Sequence, residues 1–165
     1  MVGNRDFSPV GVSSGDTLDE AAVQEFAANF RGRLIRTRDD GYDAARAVFN
    51  GMIDRRPALI ARCAGVADVM AAVDFARENG LPVAVRGGGH SVPGYAVCEG
   101  GIVIDLFSMK GVWVDPEART ARAQAGLTWG ELDRETQAFG LAVTGGRVSD
   151  TGIAGLTLGG GSGRL

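Results

Sequence analysis

The amino-acid sequence predicts an α+β fold in which one βαβ unit is followed by a mixed or antiparallel sheet with covering helices. The βαβ unit is indicated by an apolar run at 58–63, a helical spacing over 66–78 and a second apolar run at 83–86. Residues 111–115 and 119–124 alternate around a Pro-Glu turn, which is typical of a β-hairpin. Strands joined first by a helix and later by a hairpin favour a mixed sheet covered by helices.

The first 55 residues are predicted to form a leader and two helices, ahead of one domain over 56–165. The polar stretch 1–17 is rich in Gly, Ser and Asp and is expected to be a loose leader. Thr17 is suited to cap a helix over 18–30. A second, short helix is expected over 42–50. The apolar face of the first helix would consist of Val23, Phe26, Ala27 and Phe30.

The βαβ unit is expected to be parallel, with its helix crossing over between two buried strands. Asn79 and Gly80 end the predicted helix, and a crossover of this kind is right-handed in nearly all proteins. A glycine turn follows the strand at 83–86. It would therefore lie at the carboxyl end of a parallel strand, where open α/β sheets bind ligands. The apolar face of the helix is predicted to be Val66, Met70, Val73, Phe75 and Ala76.

The second half of the domain is predicted to add a strand at 101–106, the hairpin and one more helix. Thr128 can cap that helix over 129–139, and Glu131 completes a capping box. Gly140 is placed to end it. The remaining stretch, 144–165, is expected to be a glycine-rich ribbon.

The glycine turn, VAVRGGGHSVPG at 83–94, carries the chemistry. Gly87, Gly88 and Gly89 can adopt positive φ and let backbone amides converge on an anion. Arg86 adds a fixed positive charge, and His90 is the only histidine of the chain. A hairpin with an incidental histidine is the alternative interpretation.

Two other glycine-loop motifs are excluded. A P-loop needs Gly-x4-Gly-Lys-Ser/Thr, which is absent from the sequence. A Rossmann fingerprint would need glycine at Val92 and a helix directly after it, and Pro93-Gly94 disfavours that helix.

The glycine-rich ribbon has a composition suited to lie against a planar or phosphorylated ligand. Thr151 and Thr157 can donate hydrogen bonds from it. Ser162 does not form a hydrolase elbow, because Arg164 stands where glycine is needed and the chain has no second histidine. The small residues concerned are Gly145, Gly146, Gly152, Gly155, Gly159, Gly160 and Gly161.

Composition excludes several function classes. With 45% apolar and 22% charged residues the chain has the composition of a globular protein, and its net charge of −3 disfavours nucleic acid as a partner. No apolar segment approaches 18 residues, so no membrane partner is expected. Cys63 and Cys98 fit a reducing compartment, and the cytoplasm is the expected location. Together with His90 they lack the spacing of a metal site.

Four motifs in this order resemble a known family: RGGGHS at 86–91, VIDLFSM at 103–109, AGLTWGEL at 125–132 and GRVSDTGIAGLTLGGGSG at 146–163. They are similar to the flavin domain of the vanillyl-alcohol oxidase superfamily, also called the PCMH-type FAD-binding fold. Within it they resemble the berberine-bridge-enzyme-like oxidases. The resemblance covers about 56–165.

The resemblance implies a role for individual residues of both motifs. Gly87, Gly88 and Gly89 match the pyrophosphate loop, and His90 matches the histidine that is bonded to the 8α carbon of the flavin. Ser91 would contact the cofactor. The full set of implied FAD-binding residues is Arg86, Gly87, Gly88, Gly89, His90, Ser91, Gly146, Val148, Thr151, Gly152, Gly155, Thr157, Gly159 and Gly161.

Val148 stands where many relatives carry a second, cysteinyl link, so the resemblance implies a single covalent bond. Thr151 matches a small β-branched residue near the flavin face, a setting associated with access for dioxygen, which favours an oxidase. The implied reaction is hydride transfer from an alcohol or amine carbon of a small-molecule substrate to FAD, followed by reoxidation by dioxygen.

In this family the catalytic base and the substrate subdomain follow the second flavin loop, so the resemblance implies that both lie beyond Leu165. The chain would then need that C-terminal domain or a complementary chain. Three alternatives stay open. They are a catalytically inert FAD-binding module, a peptidoglycan-precursor reductase that binds FAD non-covalently, and a non-flavin α/β scaffold.

Overall fold

The protein is described by a computed structural model over residues 18–163. The predicted leader at 1–17 and its capping residue Thr17 lie outside the described residues. The predicted α+β class is confirmed. The elements in chain order are α1 (Glu20–Asn29), β1 (Arg33–Arg36), α2 (Tyr42–Arg46), β2 (Leu59–Arg62), α3 (Val66–Glu78), β3 (Val83–Arg86), β4 (Ile102–Asp105), β5 (Val112–Asp115), β6 (Thr120–Ala123), α4 (Trp129–Gln137) and α5 (Ile153–Gly159).

Four strands form the main sheet in the order β1-β2-β4-β3. β4 pairs in parallel with both β2 and β3, and β1 is antiparallel to β2. The predicted βαβ unit is therefore present, but β4 lies between its two strands. The register aligns Arg62, Asp105 and Arg86 at the carboxyl end of the three parallel strands, directly before the glycine turn.

β1 is an element that the sequence analysis missed. Only Ile35 of this four-residue strand is buried, and arginines occupy both of its ends. Ile35 pairs with Ile60 of β2, so the strand exists because a neighbouring strand offers it a partner. Four residues with one buried side chain give too little periodicity to predict a strand.

The two central strands are buried on both faces. On one face Leu59 and Ile104 pack against α1 and α3, and on the other Ile60 and Val103 pack against α2, Val97 and Cys98. Strands covered on both faces read as continuous apolar runs, which is why β2 and β4 were predictable. Because both faces of the sheet are covered, the glycine turn leaves the sheet at the carboxyl end of β3.

Helix α3 has the predicted bounds, but its predicted apolar face is partly wrong. Val66, Met70 and Val73 are 66%, 63% and 46% exposed. Phe75 is buried as predicted and stacks on Phe26, with ring centroids 4.5 Å apart. Asp68 is 2% exposed because its carboxylate accepts hydrogen bonds from two backbone amides, those of Arg31 and Ala64, and this buried carboxylate sets the rotation of the helix.

The remaining helix ends differ modestly from the predictions. Asp19 caps α1 by accepting from the amide of Ala21, and Ala27 is exposed rather than part of the buried face. α2 ends at Arg46, because Ala47 is already extended. The capping box of α4 is confirmed, although that helix ends at Gln137. None of the described helices is long and apolar enough to cross a membrane.

We predict that Cys63 does not react with iodoacetamide at about pH 8 while the protein is folded. The residue is fully buried at the end of β2, and desolvation raises the pKa of its thiol to about 12. An unfolded thiol titrates near about 8.5, so the reactive thiolate forms at this pH only after unfolding. Peptide mass spectrometry with and without guanidinium chloride checks this, and alkylation of Cys63 in the folded protein would contradict it.

Candidate functional site

The two glycine-rich segments that the sequence analysis singled out touch each other. A Cβ added to Gly88 would lie 2.3 Å from the amide nitrogen of Gly152, and a Cβ added to Gly152 would lie 2.4 Å from the amide nitrogen of Gly88. Real Cβ atoms do not approach backbone this closely. Both positions therefore require glycine, and the contact joins the turn at 87–90 to the segment before α5.

The beginning of α4 holds the second segment in place. The amide of Trp129 donates to the carbonyl of Thr151 at 3.0 Å, and the amide of Gly130 donates to the carbonyl of Ser149 at 2.8 Å. The segment then continues as helix α5, capped by Gly152. The expectation of a flat ribbon is thus wrong for Ile153–Gly159, where the small residues form a short helix.

A cavity of about 460 Å³ lies between the two segments. This volume is within the range of cofactor and small-molecule sites, roughly 300–1,000 Å³. A Cβ on Gly155 or Gly159 would meet no atom within 4 Å, so a larger side chain there would extend into open space rather than into protein. The lining residues are Val85, Gly87, Gly89, His90, Ser91, Tyr95, Ala96, Thr151, Gly152, Gly155, Leu156 and Gly159.

The glycine turn presents backbone donors. Within residues 18–163, no protein acceptor takes a hydrogen bond from the amides of Gly88, Gly89 or His90. Gly89 has a φ of +74°, a conformation that glycine adopts without strain. Its carbonyl points away from the turn and accepts from the amide of Phe49 at 3.1 Å. Successive free amides in such a turn form an anion-binding concavity.

His90 is positioned at the wall of this cavity by two neighbours. Its ring stacks on Phe49 with a centroid distance of 4.4 Å and an interplanar angle of 16°. Its Nε2 atom lies 3.7 Å from Oδ1 of Asp150. Next to it, the hydroxyl of Ser91 accepts from the amide of Tyr95 at 3.1 Å and so closes the following turn.

A sequence profile described as an FAD-binding domain matches residues 57–165. The chain belongs to this family of FAD-binding domains. (R)-6-hydroxynicotine oxidase of Paenarthrobacter nicotinovorans is 41% identical over 137 residues, which are 83% of this chain and 30% of that protein. The chain spans about 30% of the length of this relative and of a second curated FAD-linked oxidoreductase from Bacillus subtilis.

Two solved structures that resemble this chain support the same family assignment. The crystal structure of 6-hydroxy-D-nicotine oxidase from Arthrobacter nicotinovorans superposes with a TM-score of 0.76 at 40% identity, over 77% of this chain and 28% of that one. BBE-like 1 of Physcomitrella patens superposes with a TM-score of 0.81 at 30% identity, over 86% of this chain and 31% of that one. The predicted PCMH-type, berberine-bridge-enzyme-like domain is therefore confirmed, and its family is one of FAD-linked oxidoreductases.

The FAD-binding domain brings only part of the predicted site together. Gly87, Gly89, His90, Ser91, Thr151, Gly152, Gly155 and Gly159 line the cavity. Gly88 serves the contact with Gly152 instead. Gly146 and Gly161 pack on Leu156, and Thr157 lines a separate cavity beside Trp129. Val148 is 56% exposed outside the cavity.

Arg86 supports the turn from below rather than lining the cavity. Its guanidinium donates to the carbonyl of Ala45, and a Cβ on Gly89 would lie 3.3 Å from its Nε. Burial lowers the pKa of this guanidinium, while the nearby Asp105 carboxylate opposes the shift. These contacts tie the turn to α2. That Arg86 contacts the cofactor stays a prediction.

Sequence reasoning missed two residues that face His90. Asp150 lies inside the second glycine-rich motif, and its carboxylate among small residues is the signal that could have indicated it. Phe49 carried no signal, because it was assigned to the end of a predicted helix. The chain leaves that helix at Ala47, which allows residues 47–53 to run along the glycine turn.

Proposed function

We propose that this chain holds the FAD of an FAD-linked oxidase and retains it through a covalent bond to His90. The single observation that carries the proposal is the glycine contact between Gly88 and Gly152, beside which a cavity opens onto the sole histidine. Four features of the site suit a dinucleotide with a planar ring. They are unpaired backbone amides, glycines along the cavity, the apolar surface of Leu156 and the imidazole of His90. The family match supports the same cofactor.

Different residues of the cavity would bind different parts of the cofactor. The amides of Gly89 and His90, two residues that line the cavity, would bind phosphate oxygens, because free backbone N–H groups in a glycine turn favour anions. Gly155 and Gly159 leave room for a ring, and Leu156 supplies apolar surface. When bound, FAD supplies the two-electron redox chemistry, and the protein supplies position and exclusion of water.

We further propose a single covalent link and dioxygen as the electron acceptor. Val148 cannot form a thioether, and neither Cys63 nor Cys98 lines the cavity. Thr151 lines the cavity, and we propose that dioxygen approaches past this small residue. An alcohol or amine carbon is the proposed hydride source, in keeping with the oxidases among the relatives. Substrate selection and the catalytic base are proposed to belong to another part of the whole protein.

The test is the substitution His90→Ala in the full-length protein. We expect the unaltered protein to carry one FAD that stays with the acid-precipitated pellet, and we expect His90→Ala to lose this flavin to the supernatant. Intact-mass measurement should show one FAD adduct, located by peptide mapping to His90.

Arg77→Ala, at an exposed site on α3, is the control and should keep the adduct. Flavin released by acid from the unaltered protein would contradict the covalent link. Protein that binds no FAD at all would contradict the proposed function. FAD that stays bound but is reduced by no alcohol or amine would favour the inert-module alternative.

A further inference from the structure

Two neighbouring side chains restrain His90, one stacked on a face of its ring and one close to its Nε2 atom. Phe49 covers the face, with nearly parallel rings 4.4 Å apart. Asp150 approaches Nε2 from the second glycine-rich segment, at 3.7 Å. The Asp150 side chain is 71% exposed, whereas that of His90 is 21% exposed. Over the part of the chain that the structure describes, His90 is the only basic residue with a nitrogen within 4.0 Å of this carboxylate.

A carboxylate at this place selects one form of the imidazole. A neutral histidine has one N–H, and a negative charge beside Nε2 favours the tautomer whose proton is on Nε2. The lone pair then remains on Nδ1. The distance exceeds that of a hydrogen bond, so Asp150 acts across a short gap by its charge, which also favours the positive charge that grows on the ring during an attack by Nδ1.

The stack with Phe49 restricts the ring in a second way. It blocks one face of the imidazole, and the Phe49 amide ties the same segment to the carbonyl of Gly89. Rotation of the imidazole out of this plane would lose an aromatic contact. The ring edge with Nδ1 is thus held in one orientation relative to the turn.

We propose that Asp150 and Phe49 are positioning residues for the covalent attachment of FAD at Nδ1 of His90. This inference rests on the proposed function. In the net reaction, one C–H bond of the flavin 8-methyl group and the N–H bond of His90 break, and one C–N bond forms. Two electrons and two protons pass to dioxygen, which becomes hydrogen peroxide. The Nε2 proton passes to water once the C–N bond has formed, and until then the Asp150 carboxylate stabilises the positive ring by its charge.

The experiment follows the rate of attachment in full-length apoprotein made under riboflavin limitation. FAD is added, samples are denatured at intervals, and covalent flavin is measured by fluorescence in the gel, separately from the dissociation constant for FAD. Asp150→Asn is expected to slow attachment about 10²-fold, because the charge that stabilises the positive ring is lost. Asp150→Glu should recover most of the rate. Added formate should partly restore Asp150→Ala.

Phe49→Leu is expected to slow attachment by about 2–10-fold, from the energy of one aromatic stack, whereas Phe49→Tyr should attach at the original rate. Asp40→Asn removes the charge of an exposed carboxylate on another loop and is the matched control. All variants should keep the original dissociation constant and melting temperature. Digestion of the linked protein should yield the Nδ1 isomer of the histidyl flavin.

Several results would overturn the inference. Asp150→Asn that attaches FAD at the original rate would do so, as would an Nε2 link. A slow variant that formate and Asp150→Glu both fail to rescue, with FAD affinity lost in proportion, would reduce Asp150 to a structural role. Unaltered protein that never forms the link would overturn both this inference and the covalent part of the proposed function.

Discussion

Replacing Asp105 by alanine is expected to lower the free energy of unfolding by about 3 kcal/mol, the lower end for breaking a buried ion pair. Asp105 is fully buried at the end of β4. One carboxylate oxygen accepts from Nε of Arg62 at 2.8 Å, and the other accepts from the amide of Phe107 at 3.1 Å. We use the lower end of this energy range because the Arg62 side chain is 25% exposed, so water can solvate its charge after Asp105 is removed.

Urea denaturation of the full-length protein measures this effect. Asp74→Ala breaks an exposed ion pair with Arg77 on α3 and should change stability by less than about 0.5 kcal/mol. Because Asp105 is in register with Arg86, its loss should also loosen the base of the glycine turn and weaken FAD binding. An Asp105→Ala protein as stable as the Asp74→Ala control would contradict the prediction.

Gly88→Ala is expected to abolish retention of FAD. The new methyl group would lie 2.3 Å from the amide nitrogen and 2.6 Å from the Cα of Gly152, and backbone cannot move aside as a side chain can. The two glycine-rich segments must therefore separate. Overpacking of this kind costs about 1–3 kcal/mol, and the cavity between the segments changes shape.

The measurement is the FAD content of purified protein together with its melting temperature. Gly152→Ala probes the same contact from the other side and should have the same effect. Gly51→Ala is the matched control, because its Cβ would meet nothing within 4 Å and its φ is not in the left-handed region. A Gly88→Ala protein that retains a full complement of FAD would show that the contact does not shape the site.

The elements that could be predicted are those with a strong local cause. Helix α4 begins where its capping box requires, because Thr128 and Glu131 satisfy each other's backbone within one turn. The strands β2 and β4 followed from continuous apolar runs. Helix α3 had a clear beginning and end, but its rotation depended on Asp68, whose partners Arg31 and Ala64 come from outside the helix.

The candidate site was predictable to the extent that its residue types are unusual. Three glycines before a single histidine indicated a ligand turn, and a second glycine cluster indicated another wall. The sequence did not indicate which of the glycines packs on backbone and which of them line the cavity. Gly88 packs on Gly152, whereas Gly87 and Gly89 line the cavity, because alternate residues of a tight turn face different neighbours.

By itself the sequence determined the fold class, the βαβ unit, the family and the histidine that faces the cavity, since each depends on short runs of residue types and on their order along the chain. Only the tertiary structure decided that β4 enters between β2 and β3, that Arg86 supports the turn from below, and that Phe49 and Asp150 meet at His90. Those arrangements bring together residues up to about a hundred positions apart, and such contacts form only when the packed layers close around them.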